Sequence, residues 1–152
     1  MSILINSLEE LTIIVKHHRA VKQTIVFTNG CFDLLHEGHF HLLNESKKLG
    51  EILILGINTD SSIKKLKGDT RPIQKLAERI DAIKKKSIVD YIITFDDDTP
   101  IKLIEIIEPD FLVKGGDYQI ENIVGNELAK KTIIIPLLEG FSTTQQINKL
   151  KR

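Results

Sequence analysis

The stretch that decides the fold is FTNGCFDLLHEGHFHLL, residues 27–43. It overlaps a short β-branched run, residues 24–28, that predicts a strand. Asn29 and Gly30 then interrupt the apolar pattern, and from about residue 37 the apolar side chains recur at helical spacing. Three of the chain's five histidines lie in this strand-to-helix turn. The stretch therefore predicts a strand–turn–helix unit with a functional cluster at the start of its helix.

Strands and helices alternate along the rest of the chain. Further strands are predicted at residues 51–57, 89–95, 111–113 and 132–135. Helices are predicted after an N-cap at Ser7, at 37–49 with Gly50 as a left-handed C′ residue, after an N-cap at Thr59 or Asp60, at 76–86, after Thr99 as N-cap with Pro100 at N1, and at 140–150. This alternation predicts an α/β fold with a Rossmann-like parallel sheet flanked by helices. The carboxyl ends of its strands would share one edge, where ligands bind.

Length and composition predict one soluble domain. The chain has 152 residues, of which 41% are apolar and 28% charged. We expect a single domain, residues 1–152, with an N-terminal helix in 1–23 and a catalytic core in 24–152. Lys+Arg and Asp+Glu both number 21, which argues against nucleic acid or a membrane surface as partner. One cysteine, no secretory signal and no long apolar run predict a cytoplasmic protein.

The histidine cluster predicts an anion site. His36 and His39 are three residues apart and so share a face at the first turn of the helix. Free backbone N–H groups and the helix dipole favour an anion there, and Gly38 lets a phosphate approach the backbone. Imidazole titrates near neutrality, so these rings could carry positive charge. A second helix start, GFSTT at residues 140–144, also offers hydroxyl and N–H groups to phosphate.

Two other interpretations of the histidines remain open. Phe40 stands where the zinc-peptidase motif H-E-x-x-H needs its second histidine. A metal site from His36, His39 and His41 would have no cluster of cysteines or carboxylates beside it, so we expect no metal site. The histidines could also be solvated side chains on a helix surface.

Several motifs carry a resemblance to a known family. GCFDLLHEGH resembles the phosphate-binding signature of the HxGH nucleotidyltransferases, the superfamily that includes cytidylyltransferases and pantetheine-phosphate adenylyltransferases. KKLKGDTRPI, ER, DDDTP, DFLVKGGDY and GFSTT follow in the same order as in the heptose 1-phosphate adenylyltransferases. The resemblance implies transfer of AMP from ATP to D-glycero-β-D-manno-heptose 1-phosphate. The product would be ADP-heptose, a precursor of the lipopolysaccharide core. The resemblance also implies an HxGH-type fold, Mg²⁺ with ATP, and a homo-oligomer.

The resemblance implies a role for each matching residue. The catalytic residues would be His36, His39, Lys67 and Arg71. The nucleotide would contact Thr28, Asn29, Gly30, Cys31, Phe32, His36, His39, Lys65, Gly115, Ser142, Thr143 and Thr144. The sugar phosphate would contact Asp33, Asn58, Lys67, Arg71 and Asp117.

Two alternative functions remain open. A cytidylyltransferase for a polyol or amino-alcohol phosphate, such as glycerol 3-phosphate, typically has GTFD where this chain has GCFD. It also carries an arginine where this chain has Leu137 and Leu138. A module that binds ATP without turnover is the second alternative. The heptose enzymes are often fused to a sugar kinase, for which these 152 residues leave no room, so a stand-alone adenylyltransferase is expected.

Overall fold

The predicted strand–turn–helix unit is present in the computed structural model, which describes residues 1–116 and 118–136. It consists of β2 (Ile25–Gly30) and α2 (Glu37–Lys47). The other strands are β1 (Ile3–Ile5), β3 (Ile52–Asn58), β4 (Tyr91–Phe95), β5 (Phe111–Gly115) and β6 (Lys131–Ile135). The other helices are α1 (Leu8–Ala20), α3 (Asp60–Lys67), α4 (Leu76–Lys86) and α5 (Ile101–Ile107). The helix predicted at residues 140–150 lies outside the described residues.

All six described strands form one parallel sheet, in the order β1-β4-β3-β2-β5-β6. The middle strand β2 pairs with β3 on one side and β5 on the other. On one side of β2 the chain adds β3 and then β4, and on the other side it adds β5 and then β6. Such a reversal of strand order opens a crevice at the carboxyl ends of the strands, where ligands bind in open α/β sheets. The predicted Rossmann-like α/β fold is confirmed.

Both faces of the sheet are covered by helices. Leu11 of α1 and Leu103 of α5 pack with Phe27 on one face, while Leu43 of α2 packs on the other. A strand between two covered faces needs apolar side chains in both directions, and all seven residues of β3 are buried. No helix in residues 1–116 and 118–136 has the length and apolar character that a membrane crossing requires.

Two predicted helix caps are confirmed, and a third is displaced. The Ser7 hydroxyl accepts from the Glu10 N–H at 3.1 Å, and Thr59 caps α3. At α5 the cap position falls on Pro100, so the prediction that Thr99 is the cap is wrong by one residue.

Residues 1–23 contain the predicted N-terminal helix, α1, and also β1, an edge strand of three residues that is too short to give a periodic pattern. The prediction that Gly50 is a left-handed C′ residue is wrong. Gly50 has no positive φ. A Cβ at Gly50 would lie 2.9 Å from the Thr24 carbonyl oxygen, so glycine is required there by the close approach of two backbones.

Candidate active site

The two histidines of the turn cap α2 reciprocally. The backbone N–H of Gly38 donates to Nδ1 of His36 at 3.1 Å, and the N–H of His36 donates to Nδ1 of His39 at 3.2 Å. In most proteins Ser or Thr and Glu or Gln make this pair of contacts. Because each Nδ1 accepts a hydrogen bond, each neutral ring carries its proton on Nε2. The cap therefore orients both imidazoles as Nε2–H donors.

His39 is held neutral by its surroundings. Its ring centroid lies 4.0 Å from that of His36 and 5.2 Å from that of Phe32. Burial lowers the pKa of His39 to about 3, with further lowering from His36 and Lys67 and an opposing effect from Asp33. The prediction that the imidazoles can carry positive charge near neutrality is wrong for His39, because burial of the ring, and then the charges of His36 and Lys67, disfavour a cation there. At neutral pH His39 is an uncharged hydrogen-bond donor.

The loop between β2 and α2 is bound to the loop after α3 through Asp33. Its buried carboxylate accepts from Arg71 Nε at 3.1 Å, from the Ile73 N–H at 2.8 Å and from the Gln74 N–H at 2.9 Å. These contacts place Arg71 beside the histidine loop. The Nη2 atom of Arg71 is buried without a hydrogen-bond partner among the described residues, so it can donate to an anion. The predicted contact of Asp33 with a sugar stays a prediction.

A cavity of about 410 Å³ lies where β2, β3, β4 and β5 end. Five of the predicted site residues line it, namely Asn29, Gly30, Cys31, Asn58 and Lys67. Lys67 links the cavity to the imidazoles, since its charge acts on His39. The cavity lies at the switch point of the sheet, and neither His36 nor His39 is among the residues that line it.

Other predicted residues occupy different positions. Thr28 is buried in β2 and donates its hydroxyl to the Val113 carbonyl at 2.9 Å, which joins β2 to β5. Lys65 is exposed and lowers the pKa of Asp96, after the larger effects of the Ser61 and Thr59 hydroxyls. Four predicted positions, Asp117, Ser142, Thr143 and Thr144, lie outside the described residues.

The sequence patterns missed Lys114, a cation at the end of β5. Lys114 lines the cavity, and its Nζ lies 5.4 Å from the centre of the Tyr118 ring. Burial lowers the pKa of Lys114, and the nearby positive charge of Lys67 lowers it further. Its place directly before the predicted Gly115 was the available signal, because β5 lies beside β2 and both end at the same edge.

Comparisons with known proteins place the chain in a family. Residues 27–147 match the model of the family described as cytidylyltransferase-like. The chain therefore belongs to the cytidylyltransferase-like family of nucleotidyltransferases.

Among curated relatives, the "Bifunctional protein HldE" of Helicobacter pylori (strain Shi470) is 50% identical over 145 residues, which are 95% of this chain and 31% of that protein. The protein of the same name from a Nitratiruptor species is 45% identical over 147 residues, 97% of this chain and 32% of its own. The chain thus spans about a third of the length of these relatives.

Two solved structures resemble the fold. The lipopolysaccharide core biosynthesis protein from Thermoplasma volcanium is 29% identical, with a TM-score of 0.62 over 76% of this chain and 97% of that chain. Pantoate-beta-alanine ligase from Francisella tularensis is 18% identical, with a TM-score of 0.66 over 100% of this chain and 80% of that chain. The second likeness shows the fold alone.

Proposed function

We propose that this domain transfers AMP from ATP to D-glycero-β-D-manno-heptose 1-phosphate and releases pyrophosphate. The observation that carries the proposal is the pair of Nε2–H donors that the reciprocal cap orients at the start of α2. Its substrates are supported by the order of the sequence motifs. Two names support it as well: the relatives are called HldE, and one similar structure is a lipopolysaccharide core biosynthesis protein.

The reaction is an in-line displacement at phosphorus. A phosphate oxygen of the sugar phosphate forms a bond to the α-phosphorus of ATP, and the bond from that phosphorus to the bridging oxygen breaks as pyrophosphate leaves. A phosphate dianion is already a nucleophile, so the protein needs to supply only alignment and stabilisation of charge. His36 and His39 would donate Nε2–H hydrogen bonds to the phosphate oxygens on which charge develops. Lys67 and Arg71 would supply the positive charge that the neutral His39 does not.

The cavity would hold the acceptor sugar phosphate. Lys67 and Lys114 place two ammonium groups in its lining, which suits a phosphate dianion. Asp98 and Asn122 provide donors and acceptors there for the hydroxyls of a polyol. An apolar acceptor would leave these polar groups without partners.

The nucleotide would contact the loop from Thr28 to Phe32, with Lys65 and Gly115 nearby. We propose the remaining predicted contacts as well, those of Ser142, Thr143 and Thr144 with ATP and those of Asp33, Asn58 and Asp117 with the sugar. Mg²⁺ would accompany ATP. The described residues contain no group of three or more His, Cys, Asp or Glu side chains suited to a metal, so no step is assigned to it. We further propose a single-domain unit that works as a cytoplasmic homo-oligomer.

The decisive experiment measures pyrophosphate release from ATP and from CTP, each with heptose 1-phosphate and with glycerol 3-phosphate. The proposal expects release with ATP and heptose 1-phosphate. Faster release with CTP and glycerol 3-phosphate would instead indicate a cytidylyltransferase. Binding of ATP without release, over a panel of sugar 1-phosphates, would indicate a nucleotide sensor. Parallel reactions with EDTA test the requirement for Mg²⁺, and size-exclusion chromatography tests the oligomer.

A further inference from the structure

Arg79 on α4 is a charged side chain with no exposed surface. Its Nη1 donates to the carbonyls of Cys31 and Asn58, both at 2.7 Å. Its Nε donates to the Gln74 carbonyl at 3.1 Å, and its Nη2 to Asp60 Oδ1 at 2.7 Å. Burial of a guanidinium is unfavourable unless its donors are satisfied, and these four contacts satisfy them on several sides.

Two of these contacts bind different segments of the proposed site. The Cys31 carbonyl belongs to the loop after β2, and the next residue, Phe32, packs its ring against His39. Asp60 begins α3, and Lys67 ends the same helix. One guanidinium therefore sets both the loop that supports the imidazole and the helix that carries the lysine.

A third contact fixes the loop that bears Arg71. The backbone N–H of Gln74 donates to Asp33, and its Oε1 accepts from the Leu34 N–H at 3.2 Å. Because Arg79 also holds the Gln74 carbonyl, the loop after α3 is bound from two directions. Arg71 is thus positioned relative to the histidine loop by contacts that meet at Arg79.

We infer that Arg79 is a positioning residue, which sets the spacing of the histidine pair, Lys67 and Arg71 through the main-chain groups that it binds. The inference rests on the proposed function. Arg79 does not line the cavity, and its effect on the reaction passes through the Cys31 and Asn58 carbonyls. Lysine cannot replace it, because one ammonium nitrogen cannot reach acceptors that a planar fork meets in several directions.

Arg79→Lys is the test variant, and Arg19→Lys is its matched control. Arg19 also binds two carbonyls, those of Ile107 and Glu108, and one carboxylate, that of Asp110. Its carboxylate partner sits at the opposite end of the sheet, one residue before β5 begins. The two variants therefore remove similar sets of hydrogen bonds, one from a fully buried arginine beside the site and one from an arginine that is 32% exposed and away from it.

The experiment measures kcat, KM for ATP, and the NMR titration of the His39 ring, assigned by its loss in His39→Gln. Arg79→Lys should lower kcat about 10- to 100-fold with a smaller change in KM, because misplaced groups fail mainly in the transition state. It should also raise the pKa of His39 from about 3 toward its ordinary value, as burial by the loop is lost. His36, Lys67 and Asp33 also act on that ring and are unchanged in both variants.

Arg19→Lys should lower the melting temperature and leave both kcat and the His39 titration unchanged. An Arg79→Lys protein with wild-type kcat and an unshifted His39 titration overturns the inference. Asp60→Ala is run in parallel, since it removes only the Nη2 acceptor and leaves both carbonyl contacts. It should change kcat and the His39 titration less than Arg79→Lys does, and an equal or larger effect overturns the inference. A shifted His39 titration in a protein without AMP transfer supports the positioning role and rejects the proposed function, so the two failures are distinguishable.

Discussion

His39→Gln tests whether the folded protein holds this imidazole neutral. The pKa of His39 is about 3 in the folded chain, against an ordinary value of 6.5. Between these values the unfolded chain binds one proton more than the folded chain, so the free energy of unfolding rises with pH. Above about pH 6.5 the pKa shift of His39 does not reduce the free energy of unfolding. As the pH falls from 6.5 toward 3, the free energy of unfolding decreases by about 1.4 kcal/mol for each pH unit. From pH 7.5 to 4.5 the expected loss is about 2.5 kcal/mol.

Glutamine is a suitable replacement because it occupies this third helical position in the usual capping box. Its side-chain oxygen can accept from the His36 N–H, and it does not titrate. Urea unfolding of both proteins at pH 7.5 and 4.5 gives the difference directly, and the titration of carboxylates common to both cancels. Wild type should lose about 2.5 kcal/mol more than the variant over this range. If the two proteins lose stability in parallel, His39 is not held neutral in the fold.

Three further predictions concern packing and catalysis. Gly125→Ala should lower the free energy of unfolding by about 2–4 kcal/mol, since a Cβ there lies 2.6 Å from Ile104 Cδ1 at a φ of 86°. Gly68→Ala, with no atom within 4 Å but a φ of 98° and a ψ of 174° that glycine alone adopts readily, should cost about 1–3 kcal/mol through the backbone; a loss at Gly68 with none at Gly125 in urea unfolding would contradict the packing argument. Lys114→Met should raise KM for the sugar phosphate about tenfold with little effect on KM for ATP, and steady-state kinetics that show the reverse would place the nucleotide in the cavity. His36→Ala should lower kcat by about 10²–10³ while circular dichroism shows an intact fold, and a near-normal kcat would remove its assigned role.

The site residues that could be predicted from the sequence are those with a reactive or charged side chain at a recognisable local position. His36 and His39 stand out because they follow a strand at the start of a helix, and Lys67 because it lies in a matching basic motif. Lys114 was missed, since only its position directly before the predicted Gly115 distinguishes it from a solvated lysine. Its importance depends on β5 lying beside β2, which is a long-range pairing.

The sequence by itself determined the local elements of this protein. Seven consecutive buried positions in β3 require an almost uniformly apolar run, and Ser7 and Thr59 satisfy N–H groups only a few residues away. These patterns are visible in sequence because the groups that interact are neighbours in the chain.

Only the tertiary structure decided the strand order, the protonation of His39 and the buried contacts of Arg79. Arg79 meets the Cys31 carbonyl across 48 positions of the chain, and Asp33 meets Gln74 across 41. The neutral state of His39 depends on burial and on charges that the fold gathers around it. Such properties arise from which segments pack together, and no local pattern of residue types specifies that.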